Sequence, residues 1–402
     1  MNAAEAVAAL RSTTTIRERA GLLLERARAG DSPWFSVHDH RLPTVATEVA
    51  DLTRTRHPDL VVPYHSRWRH FEVGGVDRRG HLEHLLADAD DGDRARALID
   101  LTVVSVLLDA GAGPRWRYRE ADGGADVSRS EGLGVASFHA FTAGLFSSDP
   151  ARPLRADAAG LRGLDVDALG RAFQVSPSNP LVGLSGRVEV LRRLGDALES
   201  RPDVFGSPAR PGGLVDALVG PDRRVTAPAI LGLLLDSLSP IWPSDNTIDG
   251  IPLGDCWRHA AVRGPDGTDG WMPFHKLSQW LTYSLLEPLE WSGVTVDGID
   301  ALTGLPEYRN GGLLLDGGVL ALRDDAWAAR TWSPADELVV EWRALTVALL
   351  DELAELVRGD LGVDVPLACV LEGGTWAAGR AAAQRLRGGL PPLTIDSDGT
   401  VF

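Results

Sequence analysis

The strongest constraint on this chain is a helical repeat near its C-terminal end. Leu338, Trp342, Leu345, Leu349, Leu353 and Leu356 recur at steps of four and three. That spacing lines one face of an α-helix with apolar side chains. Ser333 and Pro334 read as an N-cap with proline at the first helical position, with Asp336 and Glu337 in the first turn. Gly359 and Gly362 mark the end. Such a stripe must be covered by other elements, and it carries no chemistry itself.

Weaker helical patterns fill most of the remainder. Thr15 and Glu18 have capping-box spacing before the apolar run at 22–24, which ends near Gly30. Residues 44–56 form a second helix, stopped by His57 and Pro58. Others are predicted over 94–110, 130–146, 161–174, 184–200, 214–219 and 228–238. Strand signals are few, the clearest at 313–322. The expected class is mainly α with small β pieces. Residues 61–79 break the pattern with Pro63, Gly74 and Gly75, and read as a loop with a short hairpin. Seven of the ten histidines lie between His38 and His84. The predicted organisation is therefore an N-terminal helical lobe over 1–90, with this His/Arg-rich loop, and a main helical catalytic domain over 91–402. The loop is either a polar surface feature or lends His65, Arg67 and Arg69 to a cleft. Tyr64, Trp68 and Phe71 between them would bury part of it.

Composition narrows the function. The net charge of −16 repels phosphate backbones and anionic lipid, which disfavours general nucleic-acid or membrane binding. A small anion is still accommodated where cations gather. The longest apolar runs are too short to span a bilayer. The start lacks a signal-peptide layout, and two cysteines make no disulfide framework, so a cytoplasmic location is expected.

Chemistry concentrates between Asp255 and Asp316. Lys276 is the one lysine among 40 basic residues. A point charge on a flexible stem, with a pKa that burial shifts, is what lysine offers and arginine does not. A helix started by Pro273 would put Lys276, Gln279, Trp280 and Tyr283 on one face, beside His275. That face reads as buried polar or ligand-facing. Asp255, Trp257, Arg258 and His259 mix an acid, a cation and a titratable ring, or form a capped turn with Trp257 packed inward. Cys256 and His259 supply only half a zinc site, so no metal is expected. Glu307, Tyr308, Arg309 and Asn310 precede paired glycines that suit close approach to a ligand, or form a surface turn. Glu372 likewise precedes Gly373 and Gly374, then Thr375 and Trp376. Phosphate-loop, dinucleotide and nucleophile-elbow motifs are missing. Carboxylates remain, suited to hydrolysis at an acetal-like carbon.

The segments RWRHFE, SEGLGVASFHAF, SNPLVGLSGR, PLGDCWRH, PFHKLSQWLTYSLLEP, LTGLPEYRNGGLL and LEGGTWAAGR resemble the uracil-catabolism family also called the URC-four or Urg-three family. The likeness covers essentially the whole chain. That family belongs to a route in which uracil becomes a nucleotide, a cyclohydrolase-like enzyme opens the ring, and urea leaves a ribosylurea-type intermediate. A weaker resemblance joins the chain to the queuosine-salvage nucleotide glycosidases. Their Lys-x-x-Gln pattern is matched by Lys276 and Gln279, their acid-Tyr-Arg turn by Glu307, Tyr308 and Arg309, and their tail by Glu372 and Trp376. Their catalytic aspartate falls in register on Gly298, with Asp297 and Asp300 beside it. Together the resemblances imply a helical glycosylase-like (helix-hairpin-helix-like) fold and an N-ribosyl hydrolase that needs no cofactor and acts on a small phosphorylated ribosyl substrate. Asp297 or Asp300, with Glu307, would serve the anomeric carbon. Glu372 would bind the urea group, and Lys276, Arg67, Arg69 and Arg309 the phosphate. The alternative is a non-catalytic partner that binds or channels an intermediate, in contact with other uracil-catabolism enzymes.

Overall fold

The apolar repeat becomes the helix Glu337–Leu361, and much of the chain is laid around it. The computed structural model describes residues 2–120, 126–242, 246–265 and 267–396. Within them the fold is mainly helical, and the strands form only two-stranded pairs of two or three residues. The long helix starts later than Ser333. Asp336 is its N-cap residue, and the Asp336 side chain accepts from the Ser333 N–H in the preceding turn (2.7 Å). The helix runs through Gly359 and ends at Gly362, whose φ of 70° suits glycine.

Two N-terminal helices, Thr13–Arg28 and Leu42–Arg56, pack against this helix. The first is capped by Ser12 rather than Thr15. One large apolar core draws on residues from Leu24 to Leu393. A smaller cluster joins Ile16, Ala20 and Leu23 to Met272, Phe274, Val340 and Val347.

Other expectations change in detail. The segment 61–79 forms the short helix Arg67–Phe71 and a 3-10 turn, Val73–Gly75, in place of a hairpin. Trp68 and Phe71 are buried, and burying both on one side suits a helical turn. Of the strand expected at 313–322, residues 313–316 belong instead to the helix Tyr308–Asp316. Only Leu320–Leu322 is extended, paired antiparallel with Phe35–Val37. The apolar run there is capped by Glu307, and that cap outweighs the strand-like composition. The helix expected over 161–174 divides into Ala158–Arg162 and Val166–Ala172, each capped by an aspartate. No helix among the described residues is long and apolar enough to cross a membrane.

A buried ion pair ties the long helix to the rest. Arg343 Nη1 and Nη2 donate to Asp255 Oδ1 and Oδ2, each at 2.7 Å. Asp255 also accepts from Trp257 Nε1 (2.7 Å) and the Lys276 N–H (3.0 Å). Its backbone carbonyl takes the N–H groups of Phe274 and His275. Burial alone would push the Asp255 carboxyl up. The Arg343 charge and hydrogen bonds outweigh it and hold the group below the usual carboxylate range.

Arg343→Met strands a buried carboxylate, so we expect a loss of about 3–5 kcal/mol, read as a lower denaturation midpoint. Because the folded pKa of Asp255 is depressed, its contribution is full above the unfolded value of about 3.9 and fades as pH falls through the folded value. The variant should therefore show less acid-induced loss below that range than the parent, measured as denaturation midpoint against pH. A second test concerns Gly379, where an added Cβ would lie 2.2 Å from the Arg309 carbonyl oxygen. Gly379→Ala must push the helices Tyr308–Asp316 and Trp376–Arg387 apart. A cost of about 1–3 kcal/mol is expected from thermal unfolding.

Candidate functional site

Asp255 does more than join helices. By accepting the Lys276 N–H it caps the helix Lys276–Trp291 and sets where that helix begins. The strand Trp271–Pro273 passes into the helix through His275, which has a φ of 50°. Positive φ is uncommon outside glycine and must be held by its surroundings. Here the His275 ring, buried, bonds the Leu10 carbonyl through Nε2 (3.0 Å). Burial pushes His275 below the ordinary imidazole range, so the ring is neutral and Nε2–H donates.

The same helix gathers the next segment. Gln279 Nε2 donates to Thr303 Oγ1 (2.6 Å) and to the Phe274 carbonyl, and its Oε1 accepts the Thr303 N–H (2.8 Å). Tyr283 donates to the Thr303 carbonyl (3.0 Å). This clamp fixes the loop before Pro306 and brings Glu307 to the start of the lysine helix. Both Glu307 oxygens accept backbone N–H groups, from Arg309 and Asn310 at 2.7 Å each, so Glu307 caps the helix Tyr308–Asp316. Glu307 is enclosed on most sides yet open to a cavity. Burial raises its carboxyl above the usual range, against the opposing pull of those N–H groups and of Lys276. Lys276 is similarly enclosed, and burial lowers its ammonium below the usual lysine range while Glu307 pulls the other way.

The cavity measures about 360 Å³. Lys276, Glu307 and Tyr308 form one side, and Trp280 and Trp376 supply aromatic walls. His65, His70, Asp109, Arg129, Ser130, Leu277, Leu305 and the glycine-bearing loop 110–114 also line it. Two polar chains run behind the histidines. His65 Nδ1 bonds Glu372 Oε2 (2.8 Å), and Glu372 Oε1 accepts from Arg56 Nη2 (3.1 Å). Burial alone would push the Glu372 carboxyl up, but the hydrogen bond from His65 and the Arg56 charge bring it below the usual range. Glu372 sits in a π-turn, Leu371–Thr375, where Gly373 and Gly374 let the backbone approach Thr53 and Val49. Arg67 is fully buried. It donates to His70 Nδ1 (2.8 Å) and Ser105 Oγ (2.6 Å), and its Nη1 lies 3.3 Å from Asp109 Oδ1. Burial and the Arg67 charge hold His70 well below the imidazole range.

Arg187, also buried, shapes the loop. It donates to the carbonyls of Leu108 (3.1 Å), Ala110 (2.9 Å), Gly111 (3.2 Å) and Val182. With two successive carbonyls turned to Arg187, planar peptides point the Gly111 and Ala112 N–H groups away from it. The helix Arg129–Thr142 starts without a side-chain cap at Ser128, and Arg129 and Ser130 of its first turn line the cavity.

Of the residues singled out from sequence, His65, Lys276, Trp280, Glu307, Tyr308 and Trp376 line the cavity. Others support it from behind. Asp255, Trp257, Gln279 and Asn310 are engaged in local hydrogen bonds, Asn310 to the Leu305 carbonyl. Arg309 is buried against Tyr308 (4.6 Å) and Trp376 (6.0 Å), and its Nε and Nη1 have no hydrogen-bond partner among the described residues. His259 bonds Glu341 (3.1 Å), and Arg258 stacks on Trp271 (3.7 Å). Arg69 binds Glu287 (2.6 Å). Asp297 and Asp300 lie outside the cavity: Asp297 is half exposed and paired with Arg224 (2.7 Å), and Asp300 accepts the Leu367 N–H (2.7 Å). The Glu372 oxygens are taken by His65 and Arg56 rather than turned to a ligand. Sequence reasoning missed His70, Asp109, Arg129 and Ser130. The available signal for Asp109 was an acid at a helix end, followed by glycines at 111 and 113.

Comparison with known proteins agrees over the length of the chain. It is 40% identical over 410 residues to "Protein urg3" of Schizosaccharomyces pombe, covering 99% of each. It is 42% identical over 377 residues to "Uracil catabolism protein 4" of Lachancea kluyveri, covering 85% of each. A family model described as "Protein of unknown function (DUF1688)" matches residues 9–402, and the chain therefore belongs to the DUF1688 family.

Proposed function

We propose that this protein acts in uracil catabolism as an N-ribosyl hydrolase, splitting a ribosylurea 5-phosphate or close relative into urea and ribose 5-phosphate. The relative from Lachancea kluyveri, named for uracil catabolism, supports the pathway. One observation carries the chemistry: a single cavity holds two carboxylates, Asp109 and Glu307, with two cations, Lys276 and Arg129, between aromatic walls.

Glycosidic cleavage needs a carboxylate for a cationic anomeric carbon and an acid for the leaving atom. In this reading Asp109, anchored through Arg67, faces the anomeric carbon. Glu307, with its raised pKa, is the acid that protonates the departing urea nitrogen. The C1′–N bond breaks with its electron pair going to nitrogen, and water supplies the new C1′–O bond. Lys276, Arg129, the start of the helix Arg129–Thr142 and the Gly111 and Ala112 N–H groups hold the phosphate. Trp280 and Trp376 flank the planar urea group.

The test is incubation of purified protein with synthetic ribosylurea 5-phosphate while free urea and ribose phosphate are measured. Asp109→Asn and Glu307→Gln should each lower kcat about 10²- to 10⁴-fold. Absence of urea above the Glu307→Gln level, across ribosylurea and related N-ribosyl phosphates, overturns the reading. Tight binding without turnover favours a carrier of the intermediate instead. The pH profile adds a second check. An acid with a raised pKa is active below that pKa, so kcat should fall as pH rises through it, and Glu307→Gln should lack this alkaline limb.

A further inference from the structure

The two histidines of the cavity are held in opposite tautomers. Glu372 is ionised, and a carboxylate only accepts, so the His65 atom facing it, Nδ1, carries the ring hydrogen. In the uncharged ring the lone pair is then on Nε2. His70 is the reverse. Its Nδ1 faces Arg67 Nη1, and a guanidinium only donates, so the His70 hydrogen is on Nε2. One ring is built to accept a proton and the other to donate a hydrogen bond.

We propose that His65 is the base that takes a proton from the attacking water, with Glu372 and Arg56 as positioning residues that fix its tautomer. The inference deepens the hydrolase reading and rests on it for the reaction. His65 lines the cavity, its ring lies 6.2 Å from Trp376, and its backbone N–H is tied to the Ala368 carbonyl at 3.0 Å. Glu372 is held by Arg56 on its second oxygen, and Arg56 Nη1 also donates to the Glu372 backbone carbonyl. The carboxylate therefore has no freedom to turn. In the step, water loses a proton to His65 Nε2 as its oxygen bonds C1′, the C1′–N pair leaves with nitrogen, and Glu307 gives nitrogen its proton. The proton on His65 and the one missing from Glu307 are then exchanged with solvent. His70, a neutral donor, is left to hydrogen-bond an acceptor of the substrate such as the urea oxygen or a ribose hydroxyl.

Glu372→Gln separates the alternatives. The amide oxygen remains the acceptor for Arg56, and the amide NH₂ then faces His65 Nδ1 and forces the hydrogen onto Nε2. Nitrogen NMR of protein labelled in its histidine rings, assigned with His65→Ala and His70→Ala, reads the tautomers without any substrate. The expected result is Nδ1–H at His65 and Nε2–H at His70 in the parent, with His65 switched in Glu372→Gln. In turnover, Glu372→Gln should lower kcat about 10²- to 10⁴-fold with little change in KM. His65→Ala should lose activity and regain part of it with added imidazole. Nε2–H at His65 in the parent overturns the proposal even if urea is released. So does an undiminished kcat in Glu372→Gln. Correct tautomers with no turnover of any ribosyl substrate overturn the base role and the hydrolase reading together, while a failure confined to Glu372→Gln and His65→Ala leaves that reading standing.

Discussion

The Asp255–Arg343 pair is the contact on which the architecture turns. Arg343 comes from the second turn of the long core helix, and Asp255, 88 positions earlier, stands just before the strand Cys256–Arg258. Taking two charges out of water costs several kcal/mol each, and only good geometry with further hydrogen bonds offsets that. The geometry here is two-pronged, and Asp255 adds Trp257 and the first N–H of the lysine helix. A hydrophobic pair could fill the same volume, but it could not cap a helix. The ion pair therefore sets a position: it decides where the helix Lys276–Trp291 begins, and Gln279 and Tyr283 on that helix then decide where Glu307 stands.

Arginine performs this kind of service throughout. Arg187 gathers carbonyls from four residues, Arg67 holds His70 and lies beside Asp109, and Arg19 reaches the Trp271 and Thr268 carbonyls. A planar fork of donors suits such multi-point binding, and each guanidinium stays charged however deeply it is set. A protein of net charge −16 thus keeps part of its positive charge inside, and Arg67 and Arg187 set theirs against residues of one cavity. An anionic ligand repelled by the general surface would find its favourable potential there, where low dielectric walls strengthen it.

The sequence was most readable where one force acts alone. The Leu184–Ser200 helix emerged with its exact bounds and the long helix within a few residues, because apolar periodicity is local and repeated. Motif density was a poorer guide to the site. Asp255, Gln279, Tyr283 and His259 stood out as polar residues in apolar sequence, and all four are satisfied by protein partners. A polar residue pays the same pattern signature whether its partner is a ligand or a carbonyl 265 positions away, as for His275. Conversely, Asp109 and Arg129 come from ordinary helix ends, and only folding brings them into one cavity with Lys276. Glu307 and Trp376 were visible because each adjoins glycines, which thin the chain where segments or ligands come close.

Lys276 now has a physical reason to differ from its 39 basic companions. It stands beside Glu307, whose two oxygens already accept backbone N–H groups. An arginine there would meet that carboxylate with a two-pronged grip, competing with the helix cap and holding Glu307 firmly ionised. Ammonium is a single point of charge on a flexible stem, so it can serve an incoming anion without claiming both oxygens of its neighbour. Its own pKa is lowered by burial and drawn back by Glu307, while the Glu307 pKa is raised by burial and drawn back by Lys276. The two groups are thus balanced against each other, so a phosphate drawn to the ammonium would weaken the pull that keeps Glu307 ionised. In the reaction proposed above, substrate binding would then itself favour the protonated carboxyl that a departing nitrogen requires.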